Sequence, residues 1–184
     1  MDLLDLDRQA LASTRAFVAG TDAGQLGLPT PCEGWDVRAL LNHILGNNHV
    51  YAAAIGGPVD WARRDDDRIG DDHRAAYDRS VEVVTAAFTG ADQAAEAEMP
   101  FGRIPVPYAI AVHFVDILTH GWDLAVATGQ DPVLDADLAE AAILVVGGYP
   151  PEVWGTPQFF AEQVPAPDDA PAHVRLVSLL GRRP

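Results

Sequence analysis

The 184-residue chain sets 12 Lys+Arg, every one an arginine, against 27 Asp+Glu, and the resulting formal charge of −15 repels a phosphate backbone or an anionic membrane surface. Neither nucleic acid nor a membrane is therefore expected as a partner, and 48% hydrophobic residues over this length are enough for one sizeable core, a single domain over residues 1–184. The lone Cys32 excludes an internal disulfide, and the opening Met1-Asp2-Leu3-Leu4-Asp5 has no basic stretch followed by an apolar one, so a cytoplasmic protein is expected.

Leu4, Leu11, Thr14, Phe17 and Val18 recur at helical spacing and predict a first helix over about 3–19, with Gly20 as its cap. The prolines of Leu28-Pro29-Thr30-Pro31-Cys32-Glu33-Gly34-Trp35 favour extended backbone, and Asp36 is a suitable N-cap for a second helix. Helix two carries Val37, Leu40, Leu41, Ile44 and Leu45 on one face and ends at Ile55, before Gly56-Gly57-Pro58. The charged stretch from Asp60 to Arg74 reads as a solvated loop into helix three, about Asp72 to Phe88. Residues 91–105 read as a long connection with a short extended piece near Glu98-Met99-Pro100-Phe101. Helix four, from Val106-Pro107 to Gly129, is apolar on nearly all sides and is expected at the centre; no run is long and uninterrupted enough for a membrane span of roughly 18 residues. Asp135 caps a fifth helix to about Val146, and a Pro-rich tail succeeds it.

The chemistry is concentrated on helix four. At about 100° per residue, His113, Asp116 and His120 fall within one sector of that helix, embedded among Val106, Ala109, Ile110, Ile117 and Leu124. A carboxylate in such a stripe is costly unless it is paired, and a carboxylate and an imidazole sharing a divalent cation satisfy each other's lone pairs. Asp116 and His120, one turn apart, suit this; His43, mid-helix on helix two beside the small Ala39 and Gly46, is the best third ligand. Two imidazoles and one carboxylate leave open coordination positions, the arrangement of a catalytic centre, with Zn²⁺ as first choice and Fe²⁺ or Ni²⁺ as alternatives. His113 is an alternative ligand or a proton-transfer group. Any one of these histidines alone reads as a hydrogen-bonded core residue; it is the Asp-x-x-x-His pair together with His43 that argues for metal. His49 faces another side of helix two, and His73 and His173 receive no role. Asp123 is a candidate ion-pair partner for Arg38, and Cys32, at the mouth of helix two, lies where a helix N-terminus raises thiol reactivity, though no His or Asn pairs with it in the sequence.

Two long segments, Leu28-Pro29-Thr30-Pro31-Cys32-Glu33-Gly34-Trp35-Asp36-Val37-Arg38-Ala39-Leu40-Leu41-Asn42-His43-Ile44 and Asp116-Ile117-Leu118-Thr119-His120-Gly121-Trp122-Asp123-Leu124-Ala125-Val126-Ala127-Thr128-Gly129, resemble the mycothiol-dependent maleylpyruvate isomerase N-terminal family of the DinB-like metalloenzymes. The similarity extends to Pro167 through Pro184, as in small actinobacterial members. It implies an all-α, DinB-like four-helix bundle with crossover connections, an additional short helix and a Pro-rich C-terminal tail. It also implies a metal held by His43, Asp116 and His120, with Asp116 standing where the isomerase has the longer Glu and without the isomerase's additional C-terminal domain. The activity implied is that of a mycothiol-dependent transferase or isomerase: a low-molecular-weight thiol, acidified by the metal, attacks a small electrophile, with His113 moving a proton. A metal-dependent hydrolase and a non-catalytic metal- or ligand-binding bundle are the alternatives, and a homodimer is compatible with the superfamily.

Overall fold

The computed structural model describes residues 2–150, 154 and 161–184. In chain order these form α1 (Leu3–Gly20), α2 (Val37–Gly56), α3 (His73–Gly90), β1 (Glu96–Met99), β2 (Gly102–Pro105), α4 (Val106–Thr128), α5 (Ala136–Val146) and α6 (Ala172–Leu179). They divide into two compact units, Met1–Pro132 and Val133–Pro184.

Aspartates start most of these helices. Asp2 accepts from Leu4 N, Asp36 from Ala39 N, Asp72 from Arg74 N and Ala75 N, and Asp135 from Asp137 N and Leu138 N, at 2.8 to 3.1 Å. Each cap satisfies amides that the first helical turn leaves unpaired, so part of the acidic excess is structural. α4 begins instead on the fixed backbone of Pro105 and Pro107 and ends at Gly129, whose φ of 72° is the left-handed conformation that glycine adopts at little cost.

In the first unit α1 packs against α4 and α3, and α2 packs against α3 and α4. The order around the bundle is thus α1, α3, α2, α4, so the α1–α2 and α3–α4 connections run diagonally. Leu11 of α1, Leu40, Leu41, Ile44 and Leu45 of α2, Tyr77 and Phe88 of α3, and Ile110, Phe114, Ile117 and Leu118 of α4 fill the middle and are fully buried. Burying each such side chain contributes about 1.5–3 kcal/mol before the entropy of ordering it. α4 is long and apolar enough to cross a membrane by length and composition, yet 83% of its apolar window is buried, as in a core helix. Its position in the ring, against α1, α2 and both strands, accounts for a surface that is apolar on nearly every side.

The 91–105 connection is a β-hairpin, more regular than the single extended piece expected. Pro100-Phe101 makes the turn, Gly102 supplies a φ of 122°, and β1 and β2 pair antiparallel with Glu96 opposite Pro105 and Met99 opposite Gly102. Ala97 and Met99 point inward in a two-residue alternation too short to read as a strand in the sequence. In the second unit α5 packs on α6. The expectation of a Pro-rich tail needs correction at its end: Ala172–Leu179 is helical behind Pro171, burying Leu176 and Val177, with Arg175 paired to Glu140 and Val164 N donating to Ser178 O at 2.9 Å. Residues 151–153 and 155–160 of that tail lie outside the described residues.

One close approach positions the loop between α2 and α3. A Cβ on Gly46 would stand 1.6 Å from the backbone carbonyl oxygen of Arg64, so this loop can lie on α2 only because residue 46 has no side chain. Gly46→Ala is expected to destabilise the protein by about 1–3 kcal/mol through forced displacement of the loop. Gly56→Ala, where nothing lies within 4 Å, is expected to change stability by no more than about 1 kcal/mol. Urea denaturation checks both, and equal effects would contradict the close packing.

Candidate metal centre

His43 enters the seam between α2 and α4 on the second turn of α2, and Asp116 and His120 meet it from one face of α4. His43 and His120 are buried and Asp116 is half-buried. Asp116 Oδ1 lies 3.4 Å from His120 Nε2 and 3.9 Å from His43 Nε2, and the two imidazoles stand edge to face with centroids 4.8 Å apart. One donor atom from each of the three residues falls within 4.8 Å of the others.

The far side of each imidazole determines what its near side offers. His43 Nδ1 lies 3.0 Å from Asp65 Oδ1, and His120 Nδ1 lies 2.9 Å from Asp123 Oδ2. A carboxylate only accepts, so each Nδ1 carries a proton and, in the neutral ring, each Nε2 turns a lone pair toward Asp116. This carboxylate–histidine arrangement orients imidazole ligands and increases their basicity. Burial pushes the Asp116 carboxyl up, but the charge of His120 and hydrogen bonding with both imidazoles outweigh it and hold the group well below the usual carboxylate range. Burial likewise pushes His120 down, and the charge of Asp116, with hydrogen bonds to Asp116, Asp123 and Cys32, raises it well above the ordinary value. The hydrogen bond from His43 holds Asp65 below its ordinary value against the opposing effect of burial. The cluster thus draws positive charge, as a proton or as a metal ion, into the space between its lone pairs. Its donor set of two imidazole nitrogens and one carboxylate suits Zn²⁺, Fe²⁺ or Ni²⁺.

Three further groups complete the surroundings. Asn47 Nδ2 donates to Asp116 Oδ2 at 2.6 Å and to His43 Nε2 at 3.0 Å. Trp35 lays its ring against His43 and His120, with centroids 4.6 and 5.9 Å away; the turn that carries it is closed by Trp35 N donating to Cys32 O and Thr30 N to Trp35 O. Cys32 Sγ lies 3.2 Å from Asp123 Oδ2 and 3.9 Å from His120 Nδ1, so its nearest chemical partners come from α4. A cavity of about 300 Å³ is walled by Trp35, Arg38, Asn42, Asp67 and Asp65, the carboxylate that meets His43.

The structure brings His43, Asp116 and His120 together and leaves His113 apart. His113 is fully buried, with Nδ1 2.6 Å from Asp7 Oδ1 and Nε2 3.0 Å from Asn48 Oδ1, and it packs against Tyr51 and Phe88. Both ring nitrogens are engaged in tying α1, α2 and α4 together. The expected Arg38–Asp123 pair does not form: Arg38 pairs with Asp67 at 2.7 Å, and Asp123, fully buried, serves His120. Sequence reading misses Asp65, which sits in a charged run that reads as solvated, and Asp123, although the three-residue spacing His120–Asp123 is visible. His73, to which the sequence assigns no role, is buried with Nε2 3.1 Å from Thr21 O.

The family model for the mycothiol maleylpyruvate isomerase N-terminal domain matches residues 8–125 of this chain. Two uncharacterized proteins of Mycobacterium tuberculosis, from strains CDC 1551 / Oshkosh and ATCC 25618 / H37Rv, are each 34% identical over 186 residues, spanning 99% of this chain and 98% of the relative. Among solved structures, the mycothiol-dependent maleylpyruvate isomerase and a histidine-to-alanine mutant of it superpose with TM-scores of 0.64 and 0.63 at 18% identity, covering 79% of this chain and 68% of theirs. At that identity the superposition speaks for the shared helical fold.

The two histidine environments are separable. Loss of one partner from a buried hydrogen-bonded pair costs about 1–3 kcal/mol, so His113→Asn is expected to lower stability by that amount and to leave any Zn²⁺ uptake by the folded protein unchanged. Asp123→Asn is expected to weaken Zn²⁺ binding by about 10–100-fold with a smaller loss of stability. Urea denaturation and competition with a chromophoric chelator check both; equal loss of affinity in the two variants would place His113 in the centre.

Proposed function

The chain belongs to the mycothiol maleylpyruvate isomerase N-terminal domain family, and from that premise we propose that it is a divalent-metal-dependent enzyme that activates a low-molecular-weight thiol, mycothiol, against a small electrophile. The observation that supports this most strongly is the pair of imidazoles held by Asp65 and Asp123 with both Nε2 atoms turned on Asp116. One positive charge, a proton on His120 or a divalent cation, serves Asp116 and both imidazoles at once, and a donor set of two imidazoles and one carboxylate supports the cation.

His43, Asp116 and His120 hold the ion, and a divalent cation bound there supplies Lewis acidity that lowers the pKa of a thiol or water beside it. The remaining roles fall to the chain itself. Asp65 and Asp123 keep a proton on each Nδ1, so the imidazoles cannot turn over. Trp35 covers the two imidazoles and limits water, which strengthens the electrostatics beneath it. His113, walled in by Asp7, Asn48, Tyr51 and Phe88, anchors the bundle, so the proton-transfer role expected from the sequence has no place in this mechanism. With the ion bound, the thiol would lose its proton to solvent and its sulfur would bond to the electrophilic carbon; conjugation would expel that carbon's leaving group with its bonding pair, and isomerisation would add the sulfur across a double bond and then expel the same thiolate.

The test is turnover of an electrophile such as maleylpyruvate or a chloronitrobenzene by Zn²⁺-loaded protein, with and without mycothiol. The proposal expects turnover that requires both thiol and metal and that falls at least about 100-fold in His120→Ala. Metal-dependent turnover undiminished by omitting the thiol would replace it with a hydrolase, and metal binding without turnover of any electrophile would favour a ligand-binding bundle.

A further inference from the structure

Helix α2 carries three buried asparagines, and they differ in one respect. Asn42 is satisfied at both ends, Nδ2 donating to Asp67 at 3.1 Å and Oδ1 accepting from Arg68 N and Ile69 N at 2.7 and 3.2 Å. Asn48 is also satisfied, with Nδ2 donating to Ser80 Oγ at 2.8 Å and Oδ1 3.0 Å from His113 Nε2. Asn47, one turn beyond His43 and only 3% exposed, has a buried Oδ1 without a hydrogen-bond partner among the described residues. Such an orphan oxygen costs roughly 1–3 kcal/mol relative to a satisfied one and calls for an explanation.

The other end of the same amide supplies it. Nδ2 donates to His43 Nε2, a lone pair that the proposed function assigns to a divalent cation, and to Asp116 Oδ2, the partner of the Oδ1 that faces both imidazoles. An N–H donor and a cation cannot share the one lone pair of His43 Nε2. We propose that Asn47 is the fourth donor of the centre: its amide presents Nδ2 to the trio when no metal is bound and Oδ1 when His43, Asp116 and His120 hold a divalent cation. This rests on the metal-centre reading. Turning the amide over takes Nδ2 away from the cation and gives the unpartnered Oδ1 a cation to bind, in exchange for the hydrogen bond to Asp116 Oδ2. The set becomes two imidazole nitrogens, one carboxylate and one neutral amide oxygen, which adds coordination without adding charge and suits divalent ions that accept mixed nitrogen and oxygen donors.

Co²⁺ is the probe, because its visible absorption reports donor number and geometry independently of turnover. Wild type, Asn47→Leu, Asn47→Asp and His43→Ala are titrated with Co²⁺ against a chromophoric chelator, and their thermal unfolding is followed with and without the ion. Asn47→Leu is expected to bind Co²⁺ about 10–100-fold more weakly and to change the intensity of the visible band. Asn47→Asp, which sets a second carboxylate against Asp116, is expected to unfold at a lower temperature without metal and to gain more from Co²⁺ than wild type does. Affinity, spectrum and Co²⁺-induced stabilisation unchanged in both variants, with binding lost in His43→Ala, would overturn the assignment of Asn47 alone. If Asn47→Leu does not fold, Asn47→Asp decides by itself, and a gain from Co²⁺ no larger than wild type's overturns the proposal. Wild type that takes up no Co²⁺ would overturn the metal-centre reading and this proposal with it.

Discussion

The convergence of two imidazoles and one carboxylate in the α2–α4 seam is the constraint on which the rest of the site depends. Two Nε2 atoms and a carboxylate oxygen meet within 4.8 Å, held by elements that cannot relax independently. Asp65 reaches His43 because the loop bearing it lies directly on Gly46, and Asp123 reaches His120 because both project from one face of α4. Trp35 covers the pair because hydrogen bonds within the 30–35 turn present it there. A largely buried carboxylate between two imidazoles demands a compensating positive charge, and the raised affinity of His120 for its proton expresses that demand.

The acidic excess divides into groups with different tasks. Aspartates at four helix starts satisfy backbone amides, Asp65 and Asp123 fix imidazole tautomers, and Asp7 meets His113 in the core. A count of charges alone predicts repulsion of anionic polymers and none of these roles. The cavity walled by Trp35 and Asn42 carries Asp65 and Asp67 against Arg38, an acidic wall in keeping with the whole chain.

How much of this is legible in the sequence depends on whether the signal is periodic. The helices of the bundle are readable within about two residues, because apolar spacing, aspartate caps and Gly or Pro breaks coincide at each end. His43, Asp116 and His120 are readable because ionisable groups in an apolar stripe require an explanation, and the family motifs fall on the same positions. His113 shares that stripe and resolves differently: the sector assigned from spacing does not reveal that Asp7 of α1 and Asn48 of α2 meet it. Asp65 is hidden in a charged run whose register on α2 is set by tertiary packing against Gly46. The β-hairpin is read only as one short extended piece, and α6 not at all, because four-residue strands and an eight-residue helix behind a proline leave too few periods to count. Asn47 stands one turn after His43 in the sequence, but its unpaired oxygen exists only in three dimensions.

The most direct measurement of the central claim is the metal content of purified protein by elemental analysis, after metal-free dialysis and repletion with Zn²⁺, Ni²⁺ and Fe²⁺, for wild type beside His43→Ala and His120→Ala. About one tightly held ion per chain in wild type and none in either variant is the predicted result for a centre with one open-coordination metal site. No retained ion in wild type under any of the three conditions, or retention unaffected by both substitutions, would contradict it and leave the three residues as a hydrogen-bonded seam in a ligand-binding bundle.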